Sequence, residues 1–327
     1  MHTNSQTAPI RAIAIVGPTA SGKTALSIEL ARRLGGEIIS CDSMQIYRGM
    51  DIGTAKASEE ERRAIPHHLI DFLPPNAPYS AADYGEDAYR TAKALASRGA
   101  LPIFCGGTGL YLNAACTARH ENAPMADESV RARLTALGES EQGKDELWLR
   151  LFEIDPEEAQ KTHKNNLRRV VRALEIYELT GKPKSFFDRE SQNLMPRIEL
   201  LPLLLDFCDR QLLYRRIDER VEEMMANGLE AEVRALFDGG FLSPDSTAGQ
   251  AIGYKELRAY IEGLATREEA VESLKTATRR YAKRQLTWFR AMNGIVSLAP
   301  DREDGTLKTA ACLADEAETL IHSFLTH

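Results

Sequence analysis

Gly17, Pro18, Thr19, Ala20, Ser21, Gly22, Lys23 and Thr24 fit the pattern G-x-x-x-x-G-K-[ST] at every position. The apolar run Ile13, Ala14, Ile15, Val16 precedes them, and Ala25, Leu26, Ile28, Leu30, Ala31 and Leu34 follow at helical spacing. A strand, a glycine turn and a helix in that order bring backbone N–H groups and a helix N-terminus onto one concave point, which suits a di- or triphosphate. Lys23 adds a point charge, and Thr24 a hydroxyl able to ligate Mg²⁺. Phosphoryl transfer, nucleotide hydrolysis and departure of pyrophosphate all place similar charge there, so the loop names a ligand and not a reaction.

Asp42 opens the run DSMQIY directly after an apolar segment at 37–41. A carboxylate beside a phosphate site can hold Mg²⁺ or take a proton from a nucleophile; as a favoured N-cap it can equally be a plain turn residue. Thr108 stands in a second glycine turn, Gly106-Gly107-Thr108-Gly109, where the backbone can approach a ligand closely or simply form a loop. Arg168 and Arg172 share one helix face, with Arg169 beside them and Val170, Val171 and Leu174 able to pack on the other side. Residues 275–290 carry Lys275, Arg279, Arg280, Lys283, Arg284 and Arg290 with no acid, interleaved with Tyr281, Trp288 and Phe289. Such a face is a solvated helix surface or a nucleic-acid surface. His67 and His68 are sequence neighbours that do not share a face, which reads as structural.

Apolar strands alternating with helical stretches predict an α/β fold with a parallel sheet, a P-loop core whose ligand edge lies beyond the C-terminal strand ends. A charged helical stretch at 115–197 interrupts it before another apolar strand at 199–205, ending at Asp206. The expected division is a core of 10–114 and 198–300 with a helical C-terminal part, a helical insertion at 115–197, and tails at 1–9 and 301–327. The chain has 327 residues and a formal charge of -7, which argues weakly against nucleic acid, but local patches decide that question. The five cysteines form no C-x-x-C pair, so reduced thiols, no zinc and a cytoplasmic location are expected. The first residues carry no signal-peptide core, and no run of about 18 apolar residues predicts a membrane span.

Taken together the motifs resemble the bacterial tRNA dimethylallyltransferase (isopentenyltransferase) family. GPTASGKT at 17–24, DSMQIY at 42–47, GMDIGTAK at 49–56, PHHLID at 66–71, YSAADY at 79–84, GGTGLY at 106–111, RALE at 172–175, AIGYKE at 251–256 and TRRYAKRQLTWF at 278–289 run in family order. The resemblance implies transfer of a dimethylallyl group from its diphosphate to N6 of the tRNA adenosine just 3′ of the anticodon. Asp42 would take the amine proton, Thr108 would contact the reacting groups, and Lys23, the loop at 17–24 and Mg²⁺ on Thr24 would hold the pyrophosphate. It also implies tRNA contacts from Asp42, Ser43, Met44, Gln45, Thr108, Arg131, Arg168, Arg169, Val170, Val171, Arg172, Gln250, Ala251, Ile252, Gly253, Tyr254 and Lys255, and an insertion that clasps the anticodon stem. A monomer without an obligate protein partner is expected. KNNLRRVVR departs from the family's usual segment, which leaves Arg168 and Arg169 less firmly matched than Arg172. An isopentenyltransferase acting on free adenylate shares the loop and the aspartate; an ATPase or small-molecule kinase shares the loop.

Overall fold

The computed structural model describes residues 8–117, 127–192 and 194–326. The chain divides into two compact units, one of residues 1–116 and 197–327 and one of residues 117–196. The first unit begins with β1 (Ile10–Val16), α1 (Lys23–Leu34), β2 (Gly36–Ser40), α2 (Glu59–Ala64), β3 (His67–His68), α3 (Ala81–Ser97), β4 (Leu101–Gly106) and α4 (Gly109–Cys116). The second contains α5 (Glu128–Leu137), α6 (Glu141–Ile154), α7 (Pro156–Lys161), α8 (Leu167–Thr180) and α9 (Lys184–Gln192). The first resumes with β5 (Ile198–Leu205), α10 (Arg210–Ala226), α11 (Leu229–Asp238), α12 (Tyr254–Ile261), α13 (Arg267–Arg290), β6 (Val296–Leu298) and α14 (Ala310–Thr326).

The strands form one six-stranded sheet in the order β3-β2-β4-β1-β5-β6, each adjacent pair parallel. β1 lies between β4 and β5, and its buried part, 12–16, is apolar on both faces, as a doubly covered parallel strand must be. Its side chains alternate: Ala12, Ala14 and Val16 join Phe104, Tyr84, Ala88, Leu213, Ala282 and Phe289 in one core layer. Ile13 and Ile15 face the other way, against Leu26 and Leu30 of α1 and Leu313, Ala317 and Ile321 of α14. Prolines in two inner strands sit where they remove no ladder bond on one flank. Pairing of β4 with β1 starts at Ile103, one residue after Pro102, and pairing of β5 with β6 starts at Leu203, one residue after Pro202.

A third cluster joins Ile46, Tyr47 and Met50 to Val221, Leu229, Val233, Tyr254, Leu257 and Leu274. The helical unit has its own core of Leu134, Leu147, Leu151, Val170, Val171 and Leu174. The stretch 301–327, read from the sequence as a tail, instead supplies α14, which completes the layer over α1; Arg33 Nη1 meets Asp315 Oδ1 at 2.6 Å along that seam. Its apolar positions recur at helical spacing, but it carries no motif, so its packing partner was invisible in the sequence. His67 and His68 form the short edge strand β3 beside β2. Among the described residues no helix is long and apolar enough to cross a membrane.

Candidate active site

β1 delivers the loop at 17–22, and α1 starts at Lys23 with Gly22 as its N-cap at φ 94°. That left-handed backbone turns the chain into the helix without a Cβ penalty. α1 has no side-chain cap and no acid in its first turn, so its positive end and first N–H groups are left for an external anion. Ser21 Oγ is buried and has no hydrogen-bond partner among the described residues. The Lys23 ammonium donates to the Pro18 carbonyl at 2.6 Å. Burial pushes it down to about 8, with the Arg220 guanidinium adding to the fall and Cys105 and Asp42 opposing it.

β2 ends at Ser40, and Asp42 follows as a turn residue. Its Oδ1 accepts from the backbone N–H of Met44 at 2.8 Å and of Gln45 at 3.4 Å. The two readings of Asp42 are therefore compatible: both turn bonds fall on one oxygen. Burial holds the Asp42 carboxyl above its ordinary range, against the pull of those N–H groups, Lys23 and Arg220. β4 ends at Gly106, and the turn after it locks onto the Asp42 turn. The Thr108 N–H donates to the Cys41 carbonyl at 3.1 Å, and Thr108 Oγ1 accepts from the Ser43 N–H at 3.2 Å. Tyr281 of α13 lies beside the Thr108 side chain.

Two helices supply residues that motif reading did not single out. Arg216 on α10 donates from Nε to the Ala20 carbonyl at 3.0 Å, and Arg220 one turn on acts electrostatically on Lys23 and Asp42. A cavity of about 520 Å³ opens here, lined by Ala20, Lys56, Arg62, Arg216, Arg220 and Glu223 among others. The i, i+4 arginine spacing was visible in the sequence, but their approach to the loop was not. Gln285 on α13 bonds both the phosphate loop and the Gly107 turn.

The sequence pattern of the IPP transferase family matches residues 45–292, and that of isopentenyl transferases matches residues 10–71. The chain belongs to the IPP transferase family. A tRNA dimethylallyltransferase of Geobacillus thermodenitrificans is 51% identical over 280 residues, 85% of this chain and 87% of that one. One of Thermoanaerobacter sp. (strain X514) is 46% identical over 287 residues, 88% of this chain and 90% of that one. The crystal structure of a tRNA delta(2)-isopentenylpyrophosphate transferase from Staphylococcus epidermidis is 41% identical with a TM-score of 0.69, covering 96% of this chain and 99% of its own. A eukaryotic dimethylallyltransferase acting on tRNA is 29% identical with a TM-score of 0.77, covering 95% of this chain and 80% of its own.

The structure also sorts the other residues that resemblance to the IPP transferase family had nominated. Gln45 is committed internally: its Nε2 donates to the Thr54 and Ala55 carbonyls and its Oε1 accepts from Ser40 Oγ. Tyr254 is fully buried and donates to Glu232 Oε1 at 2.6 Å, and Ala251 is buried, so Gln250 and Lys255 are the exposed side chains of that segment. Glu232 also accepts from the N–H groups of Asp51, Ile52 and Gly53, which ties the segment to the GMDIGTAK motif. Val170 and Val171, which the resemblance places among the tRNA contacts, take the packing side that their helical spacing allows and lie in the core of the helical unit, turned away from the face of Arg168, Arg169 and Arg172. Arg131 and Arg172, 41 positions apart in sequence, share the buried Glu175: Glu175 Oε2 lies 3.1 Å from Arg131 Nη2 and 2.8 Å from Arg172 Nη1.

Proposed function

We propose that this protein transfers a dimethylallyl group from dimethylallyl diphosphate to N6 of the tRNA adenosine just 3′ of the anticodon. The observation that carries this reading is the joining of three strand ends into one site. The phosphate loop with Lys23, the Asp42 turn and the Thr108 turn meet at the same sheet edge, Thr108 bonded to Cys41 and Ser43 on either side of Asp42. That geometry serves a displacement in which a diphosphate leaves and an amine arrives.

In this reading the loop amides, Ser21, Lys23, Arg216 and Arg220 receive the diphosphate and stabilise the charge that grows as the donor C–O bond breaks. Asp42 Oδ2, which takes no part in the turn bonds, orients the exocyclic amine, whose lone pair is delocalised into the ring, and accepts the proton released as the N–C bond forms. Thr108 holds the Asp42 turn against the phosphate side. Among the described residues no group of three or more His, Cys, Asp or Glu is arranged to hold a metal. The hard oxygen donors at this edge, Thr24 Oγ1 and the diphosphate itself, fit Mg²⁺, which would neutralise charge on the leaving group. The acceptor base leaves its stack to reach the Asp42 carboxylate, at a cost of a few kcal/mol. Arg131, Arg168, Arg169 and Arg172 of the helical unit and Gln250 and Lys255 of the other supply tRNA contacts.

The test is transfer of label from labelled dimethylallyl diphosphate, with tRNA or AMP as acceptor. Label in tRNA at N6 without ATP consumption is expected. Label in AMP alone, or ATP turnover without prenylation, would overturn the reading.

A further inference from the structure

Gln285 is a polar residue in the buried stripe of α13, next to Ala282, Leu286 and Phe289, and is 5% exposed. Its Oε1 accepts from the Thr19 N–H at 3.0 Å, and its Nε2 donates to the Gly107 carbonyl at 3.0 Å. One amide thus spans the phosphate loop and the turn that carries Thr108. A Cβ on Gly107 would lie 2.0 Å from Gln285 Nε2; beyond this side chain the nearest atom is the Gly17 carbonyl oxygen at 3.7 Å. The Gly107 backbone is not in the left-handed region, so its own conformation does not demand glycine. What excludes a side chain at Gly107 is Gln285.

The amide donates from one atom and accepts at the other without any change of charge or protonation. Glutamate cannot donate to the Gly107 carbonyl, alanine reaches neither loop, and each leaves a buried polar group unpaired. We propose that Gln285 is a positioning residue for prenyl transfer: it fixes the distance between the diphosphate site and the Thr108–Asp42 acceptor side. The proposal rests on the function stated above. A displacement requires its reacting atoms to be held about 3–3.5 Å apart and aligned, so a small slip between the two loops removes most of the advantage.

The experiment measures single-turnover transfer at saturating dimethylallyl diphosphate and tRNA, the dissociation constant of tRNA, and the thermal midpoint. It uses the full chain and the variants Gln285→Glu, Gln285→Ala, Gly107→Ala and Gln285→Ala/Gly107→Ala. Gln285→Ala is expected to slow transfer roughly 100-fold with tRNA affinity within about twofold. Gly107→Ala slows the wild-type protein but adds no further loss once Gln285 is alanine, because the obstructing amide is gone. Gln285→Glu keeps the volume and is also slowed, which retains the readout if the alanine variant unfolds. Wild-type single-turnover rates in the Gln285 variants, or a full Gly107→Ala penalty in the Gln285→Ala background, would overturn the proposal. So would a rate loss explained by the folded fraction alone. A wild-type control that prenylates no tRNA would instead sink the function itself.

Discussion

Asp42 and Lys23 are half-buried charges of opposite sign that the fold pushes toward their neutral forms. The proposed reaction needs both ionised. Lys23 loses its proton around 8, and a bound diphosphate favours the ammonium, so donor affinity should fall as pH rises through that value. Asp42 must be ionised to accept a proton, and its raised range puts the acid limb of the profile above that of an ordinary aspartate. A bell-shaped profile of kcat/KM is therefore expected. Asp42→Asn should lower kcat by about 10²–10⁴-fold and remove the acid limb. An unchanged acid limb in that variant would assign the titration elsewhere and leave Asp42 as a turn residue.

Helices decide what single residues can do. α8 buries Val170, Val171, Ala173 and Leu174 and turns Arg168 and Arg169 outward, with Arg172 held on Glu175 beside Arg131. A carboxylate that is 0% exposed and shared by two arginines fixes both side chains and saves part of the entropy that a phosphate contact otherwise costs. Arg172→Ala should weaken tRNA binding and reduce the slope of log K against log salt by about 0.7–0.9. A slope identical to wild type would make that face a solvated surface. α13 shows the same logic toward the Gly106 turn, with Tyr281, Gln285 and Trp288 lying against Thr108, Gly107 and Gly109 in turn.

At the scale of the molecule, the sheet is held by helices on both faces, and the last of them comes from the C-terminal end of the chain. Ile321 is fully buried against the layer that includes Leu26 and Leu30 of the helix behind the phosphate loop. Ile321→Ala should lower unfolding free energy by about 2–5 kcal/mol. It should lower the urea midpoint while the transfer rate of the folded protein stays unchanged. A midpoint equal to wild type would mean that α14 does not support the core.

The loop at 17–24, the Asp42 turn and the Gly106 turn were legible in the sequence because their chemistry is local: glycines, a lysine and an aspartate at fixed spacing after apolar strands. The parallel α/β class was legible for the same reason, since hydrophobic period changes with each element. Other features depend on approaches between segments far apart in the chain. Arg216 reaches Ala20 across 196 positions and Gln285 reaches Thr19 across 266, and no spacing encodes that. A polar residue in the apolar stripe of α13 was a visible signal, but its partners were not. Burial moved Val170, Val171, Ala251 and Tyr254 from the expected RNA surface into cores, and moved the C-terminal segment from tail to core layer. The sequence by itself determined which groups are the candidates to hold a diphosphate and take a proton. The tertiary structure decided how they are spaced, because spacing is set by side chains packed between strand ends rather than along them.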